Sequence, residues 1–96
     1  MVYLVTWNLN KEGQAYSKAR ARFLEGIEKF ESNYTSILES VRFVSAKSYD
    51  ANELYDYLKK YIDDNDGLVI VKFEKGTANH QGNLGKELWA WINARI

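Results

Sequence analysis

The chain predicts a mixed α/β (α+β) domain, a small β-α-β-α-β-α sandwich in which amphipathic helices pack on a sheet. Three observations carry that expectation. Met1–Asn10, MVYLVTWNLN, sets Tyr3, Val5, Trp7 and Leu9 on one strand face and Val2, Leu4 and Thr6 on the other, so both faces are largely apolar. Leu68–Phe73, LVIVKF, is likewise apolar on both faces down to Lys72. Elsewhere apolar residues return at three- and four-residue spacing, the period of a helix that buries one face. Strands apolar on both sides belong in a covered sheet. Met1–Leu9 and Leu68–Phe73 are therefore expected side by side, neither of them on an exposed edge.

Each further element follows from local chemistry. Asn10-Lys11-Glu12-Gly13 breaks the first strand. From Gln14 to Ser32 the stripe Ala15, Ala19, Phe23, Ile27 and Phe30 predicts a helix, with Tyr16 beside the stripe and Arg20 at its border. Ser32-Asn33 ends it. Ile37–Ala46 reads as the next strand, with Arg42 on the face opposite Val41 and Phe43. Tyr34–Leu38 either extends that strand or forms a short one of its own. Asp50 followed by Glu53 has capping-box spacing and starts a second helix, which buries Leu54, Leu58, Tyr61 and Ile62. Asp63-Asp64-Asn65-Asp66-Gly67 turns the chain, with Gly67 expected at positive φ. Glu74–Asn83 reads as a loop and Leu84–Ile96 as a last helix capped by Asn83, with Leu84, Leu88, Trp91 and Ile92 inward.

At 96 residues the chain is one domain, 1–96. Thirteen basic residues balance thirteen acidic ones, so no global field draws it to nucleic acid or to a membrane surface. Any such contact must come from a local patch. With no cysteine, thiolate metal sites, disulfides and cysteine nucleophiles are excluded. There is no leader pattern, and no apolar run approaches the ~20 residues of a membrane span. A cytoplasmic protein without a membrane partner is expected.

Candidate chemistry is sparse. Lys18, Arg22 and Lys29 align on one side of the first helix, as a basic ridge for nucleic-acid phosphates or simply as a solvated face. His80, Gln81, Gly82 and Asn83 make a polar, glycine-bearing approach to a helix N-terminus, where backbone N–H groups could hold an anion; a capping surface loop is the plainer reading. The single histidine rules out a His-pair metal site, and Ser45, His80 and Asp50 have no spacing that makes them a triad. Asp64 and Asp66 before Gly67 are too short a ladder for a calcium loop. Asn8, at the C-terminal end of the first strand, is the candidate catalytic position, since α/β sheets place chemistry at strand ends; a strand-end turn residue is the alternative.

YLVTWNLN, an amphipathic helix, SVRFVSA, a second helix and GLVIVKF together resemble a family of small bacterial proteins labelled SinR-like, and HQGNLGKELWAWINARI is similar to that family's tail. The family looks distantly similar to the CRISPR-associated Cas-two proteins and to virulence-associated protein D. That resemblance implies a ferredoxin-like homodimer, with two strands between the first two helices, and kinship with metal-dependent RNA or DNA cleavage. The Cas-two proteins carry a metal-binding Asp where this chain has Asn8, and a neutral amide is a poor substitute on Mg²⁺.

Two readings follow. The first is a non-catalytic dimer, with no cofactor, that binds nucleic acid or a protein partner. The second is a metal-dependent, toxin-like nuclease using Mg²⁺ or Mn²⁺, with Asp63, Asp64 and Asp66 as spare carboxylates. With two helices on one sheet face, the other must be covered by the Trp89/Trp91 helix or by a second copy. The homodimer is the expected solution, with the terminal helix at its border.

Overall fold

The computed structural model describes residues 1–76 and 78–96; Thr77, inside the loop expected over Glu74–Asn83, lies outside the described residues. The elements are β1 (Val2–Asn8), α1 (Gly13–Ile27), β2 (Glu31–Asn33), β3 (Val41–Ser45), α2 (Ala51–Leu58) with a 3₁₀ turn at Lys59–Tyr61, β4 (Gly67–Phe73) and α3 (Lys86–Asn93). The sheet order is β2-β3-β1-β4, and every neighbouring pair is antiparallel. This is the β-α-β-β-α-β arrangement of ferredoxin-like domains, with α3 appended.

The period-2 geometry of β1 divides the core in two. Tyr3, Val5, Trp7 and Leu9 join Phe23 and Ile27 of α1, Val44, and Leu54 and Leu58 of α2. Val2 and Phe43 join Phe73 and the α3 residues Leu88 and Ile92 on the opposite face, with Leu4 partly buried against them. The central strand thus organises both layers, as its two-sided apolar pattern requires. The capping box at α2 is present: Asp50 Oδ1 accepts from the Glu53 N–H at 2.8 Å, and Glu53 Oε1 accepts from the Asp50 N–H at 3.1 Å.

Several expectations need correction. Helix α1 stops at Ile27 and not at Ser32, because Glu31–Asn33 pairs with Phe43–Ser45 as the second strand between the helices. Neither Tyr34–Leu38 nor Ile37–Ser40 is a strand; Ile37 is 65% exposed in the loop before β3. Gly67 is not at positive φ but opens β4 opposite Asn8. Asn83 does not cap α3, which starts at Lys86 after Gly85.

The largest correction concerns β4. It does lie beside β1, from Val2↔Phe73 to Asn8↔Gly67, but on the sheet edge and not inside it. The register sends Leu68 and Ile70 to the α1/α2 core and Val69, Val71 and Phe73 to the α3 side. Helix α3 reaches Phe73 but leaves Val69 55% and Val71 49% exposed. A two-sided apolar strand can be central, or it can be an edge whose second face is only partly covered. Its sequence does not distinguish the two.

Candidate nucleic-acid interface on the flanks of α1

Helix α1 and the turn after it, which carries Lys29, present cations on two different flanks. Lys18, Arg22 and Lys29 are all exposed. On that flank an Arg22 Nη2–H donates to the Lys60 carbonyl at 2.9 Å, which ties α1 to the 3₁₀ turn. Lys29 is held above its ordinary pKa first by the Tyr57 hydroxyl and then by Tyr61. Lys60 Nζ stands 5.4 Å from the Tyr57 ring centre and Lys59 Nζ 5.6 Å from that of Tyr55. Close approach here depends on Gly26: a Cβ added at that position would meet Tyr61 Cδ2 at 2.8 Å. The expected ridge therefore gains Lys60 as a neighbour, set among tyrosines.

The other flank was not foreseen as a site. Tyr16, Arg20 and Leu24 recur every four residues along α1, so they stack on one side of the helix. Tyr16 and Arg20 line an open groove of about 400 Å³ whose other side is formed by Tyr34, Glu39 and Arg42. A second cavity of about 170 Å³, lined by Leu24, Ile27, Glu28 and Ser32, adjoins Tyr34 and Arg42 from the other direction. Arg42 Cζ lies 4.3 Å from the Tyr34 ring centre, a cation–π stack. It also lies 5.9 Å from the Trp7 ring, whose buried Nε1–H has no acceptor among the described residues. Burial, and next the charge of Arg20, hold the Arg42 guanidinium below its ordinary pKa. Among the described residues neither arginine forms an ion pair with a carboxylate. The signals in the sequence were an arginine inside an apolar strand and Arg20 at the apolar border of α1. What hid the site was the path of the Tyr34–Ser40 loop.

Asn8 is exposed at the end of β1, next to the acidic turn. Asp66 accepts from the Asn10 N–H at 2.7 Å through Oδ1 and from the Asp63 N–H at 2.8 Å through Oδ2, and Asp63 pairs with Lys11 at 2.6 Å. Both Asp66 oxygens and Asp63 are thus engaged in stapling the β1–α1 and α2–β4 connections together. With a neutral amide at Asn8, this donor set does not fit a Mg²⁺ or Mn²⁺ ion. Burial pushes the Asp66 carboxyl up, but the N–H groups of Asp63 and Asn10, and then Lys11, hold it below its ordinary value of 3.8. Its folded-state pKa is depressed, so its contribution is fully present above the unfolded value and is lost as pH falls through the folded one. Asp66→Ala is expected to cost about 1–2 kcal/mol at neutral pH. In thermal melts the gap from the parent should close in acid, and a gap that survives unchanged below about pH 2 would rule out the charged staple.

The His80 loop is turned inward. The His80 ring packs on both Phe73, at 4.7 Å and 10°, and Trp89, at 5.4 Å and 21°, which themselves lie 6.3 Å apart, and its Nδ1 is buried and unpartnered among the described residues. Gln81 Oε1 accepts from the Gly82 N–H at 3.1 Å, and the Gly82 carbonyl accepts from the Trp89 indole at 2.9 Å. Asn83 is exposed. The Gly82 N–H that would face an anion is already taken, so these residues are placed to dock the loop on α3.

Compared with known proteins, the chain matches no family model, no curated protein and no solved structure. Among the described residues no three His, Asp or Glu side chains gather where they could hold a metal ion, and no helix is long and apolar enough to cross a membrane.

Proposed function

We propose that this protein is a small homodimeric accessory factor that binds nucleic acid and does no chemistry of its own. The observation that carries this reading is the pair of cationic, tyrosine-lined flanks on α1, with Arg22, Lys29 and Lys60 on one and Arg20 and Arg42 on the other. Cations beside exposed rings suit phosphates and bases together. The charge balance of the whole chain adds no long-range attraction, so binding is weak and salt-sensitive. The resemblance to the SinR-like family, and through it to the Cas-two proteins and virulence-associated protein D, agrees with a nucleic-acid partner and a dimer. The engaged carboxylates around Asn8 speak against the nuclease reading.

Binding and cleavage of labelled single-stranded and duplex RNA and DNA test this directly, with Mg²⁺, Mn²⁺ or EDTA present. Three phosphate contacts at Lys18, Arg22 and Lys29 alone give a log–log salt slope of about −2 to −3, and each contact added at Arg20 or Arg42 steepens it by about 0.7 to 0.9, with affinity no tighter than micromolar at physiological salt. Cleavage that EDTA abolishes and Asn8→Ala removes would replace this reading with a metal-dependent nuclease.

The second copy is supported by the part of the sheet that α3 leaves open. Val69 and Val71 are exposed beside the partly buried Leu4, Thr6 and Val41, on an edge strand with only Lys72 to blunt it. The accessible surface is 6231 Å² for 11.2 kDa. A folded monomer of that mass exposes about 5,700 Å². A stable dimer needs roughly 800 Å² from each partner. Val69→Lys and Val71→Lys, both at exposed positions, should leave the melting temperature within a few degrees. Each should raise the dimer dissociation constant about tenfold or more by sedimentation. A parent chain that stays at 11.2 kDa throughout the micromolar range would sink the dimer.

A further inference from the structure

We propose that the groove between α1 and the Tyr34–Ser40 loop is a pocket for one unpaired nucleotide of a single-stranded nucleic acid. Its phosphate lies on Arg20 and Arg42, and its base lies on Tyr34. This rests on the nucleic-acid reading above and locates it on one flank of α1.

Four features of the groove point to such a ligand. The first is uncompensated charge. Arg20 and Arg42 are close enough for one to depress the other's pKa, and among the described residues neither has a carboxylate ion pair. Glu39 is the one acid lining this groove, and Glu28 lines the adjoining cavity that Arg42 also borders. Neither is within ion-pair distance of an arginine, so both guanidinium groups still have donors to offer a phosphate. A phosphate diester relieves that repulsion, and the guanidinium fork matches its oxygens. The second is a platform. One side of the Tyr34 ring is occupied by Arg42 at 4.3 Å, yet the residue stays 59% exposed, which leaves ring surface for a base. A base added there extends the series of guanidinium, phenol and base, and such stacking accepts any base.

The third feature is size. About 400 Å³ lies at the small end of ligand pockets, which run from roughly 300 to 1,000 Å³, and suits a single nucleotide. A stacked base in a duplex cannot reach such a platform without being flipped out, so the fitting partner is single-stranded. The fourth is preorganisation. Arg42 Nη1–H donates to the Val41 carbonyl at 3.2 Å, so its side chain is held on Tyr34 before any ligand arrives. The Lys18, Arg22 and Lys29 flank supplies the contrast. There Arg22 is already bonded to a carbonyl and the hydroxyls of Tyr57 and Tyr61 raise the pKa of Lys29, and among the described residues no cavity joins the cations, so that flank adds diffuse charge and not a pocket.

The test is fluorescence anisotropy with labelled deca-uridylate, deca-thymidylate, an abasic decamer and a DNA duplex at about 50 mM salt, where phosphate contacts are least screened. Both single strands are expected to bind, and the abasic strand and duplex at least about tenfold more weakly. Tyr34→Leu should weaken the single strands by roughly 10- to 150-fold, within the range for one lost stack, and bring them level with the abasic decamer. Arg20→Gln should flatten the salt slope by about 0.7, one phosphate on a single strand. The Arg22→Glu, Lys29→Glu double variant should lower all affinities while keeping the preference for bases over abasic sites. Tyr34 and Arg20 are not core residues, and far-UV circular dichroism checks that both variants fold. If oligonucleotides bind, but equally with and without bases and independently of Tyr34, the pocket assignment falls and the nucleic-acid reading stands. If none of the four binds, both fall. If an acidic heptapeptide displaces the strands at equal charge concentration, the groove is an acidic-peptide site instead.

Discussion

Phe23→Ala is expected to destabilise the protein by about 3–5 kcal/mol, the usual cost of deleting a fully buried aromatic ring. Phe23 is completely buried, and its ring centre lies 4.8 Å from that of Trp7 on the central strand. The loss should be this large because α1 has few local devices to hold it and relies on Phe23 and Ile27 in the core. Its N-cap residue Glu12 makes no side-chain cap bond, its first turn has no acid and its last turn no base to complement the helix dipole. It begins at Gly13 with φ 58° and carries a second glycine at Gly26, which the Tyr61 ring requires. A 15-residue helix with those features is marginal by itself and depends on packing. A domain of this size has a total stability of roughly 5–14 kcal/mol. The variant should therefore melt ~15–30 °C lower. Tryptophan fluorescence, to which Trp7, Trp89 and Trp91 all contribute, and far-UV circular dichroism, followed through the melt, check it. A loss below about 1 kcal/mol would mean that the α1–β1 contact is not the centre of this layer.

The same packing logic explains what the sequence made legible. β1 was readable because its two faces are independently apolar and each finds its own helix layer. The α2 start was readable because Asp50 and Glu53 form a local motif whose bonds need nothing distant. β2 was not, because Glu31, Ser32 and Asn33 have no apolar alternation. They become a strand only by pairing with Phe43–Ser45 and through Arg95, which grips Glu31 Oε1 and Oε2 at 2.9 and 3.0 Å and draws the Glu31 carboxyl below its ordinary pKa. That contact spans 64 residues and leaves no local trace.

For the site, charge alone could find Lys18, Arg22 and Lys29, since helical spacing aligns them. It could not find Arg42 on Tyr34, because that pairing depends on how the loop between β2 and β3 folds back over α1. Gly67 shows the opposite error. An Asp-Gly pair suggests a turn with positive φ, but the Asp66 carboxylate fixes the turn one step earlier, and Gly67 is already the partner of Asn8 in the sheet.

Ile92→Asp is expected to cost about 4 kcal/mol or more and to detach α3. Ile92 is completely buried among Val2, Phe43, Phe73 and Leu88, with no cation among them to meet a carboxylate. The helix has eight residues, follows Gly85 with φ 85° and has no side-chain cap, so it has no stability apart from its docking. What holds it is the apolar seam, the Trp89 indole on the Gly82 carbonyl and the Arg95 fork on Glu31. The last two are exposed and worth little compared with the seam. Once α3 lifts, Phe43 and Phe73 lose their cover along with the His80 stack.

Val69→Asp, on the same sheet face but 55% exposed, is the matched control and should cost less than about 1 kcal/mol of folding stability. Denaturant melts of the two variants at low protein concentration separate the roles of the two halves of this face. A large loss for Ile92→Asp with none for Val69→Asp makes α3 the chain's own cover for the Val2–Phe73 half. The Val69–Val71 half is then the part open to the proposed second copy. Equal, small losses for both would mean that α3 does not close the core, and that the whole face is open to the proposed second copy.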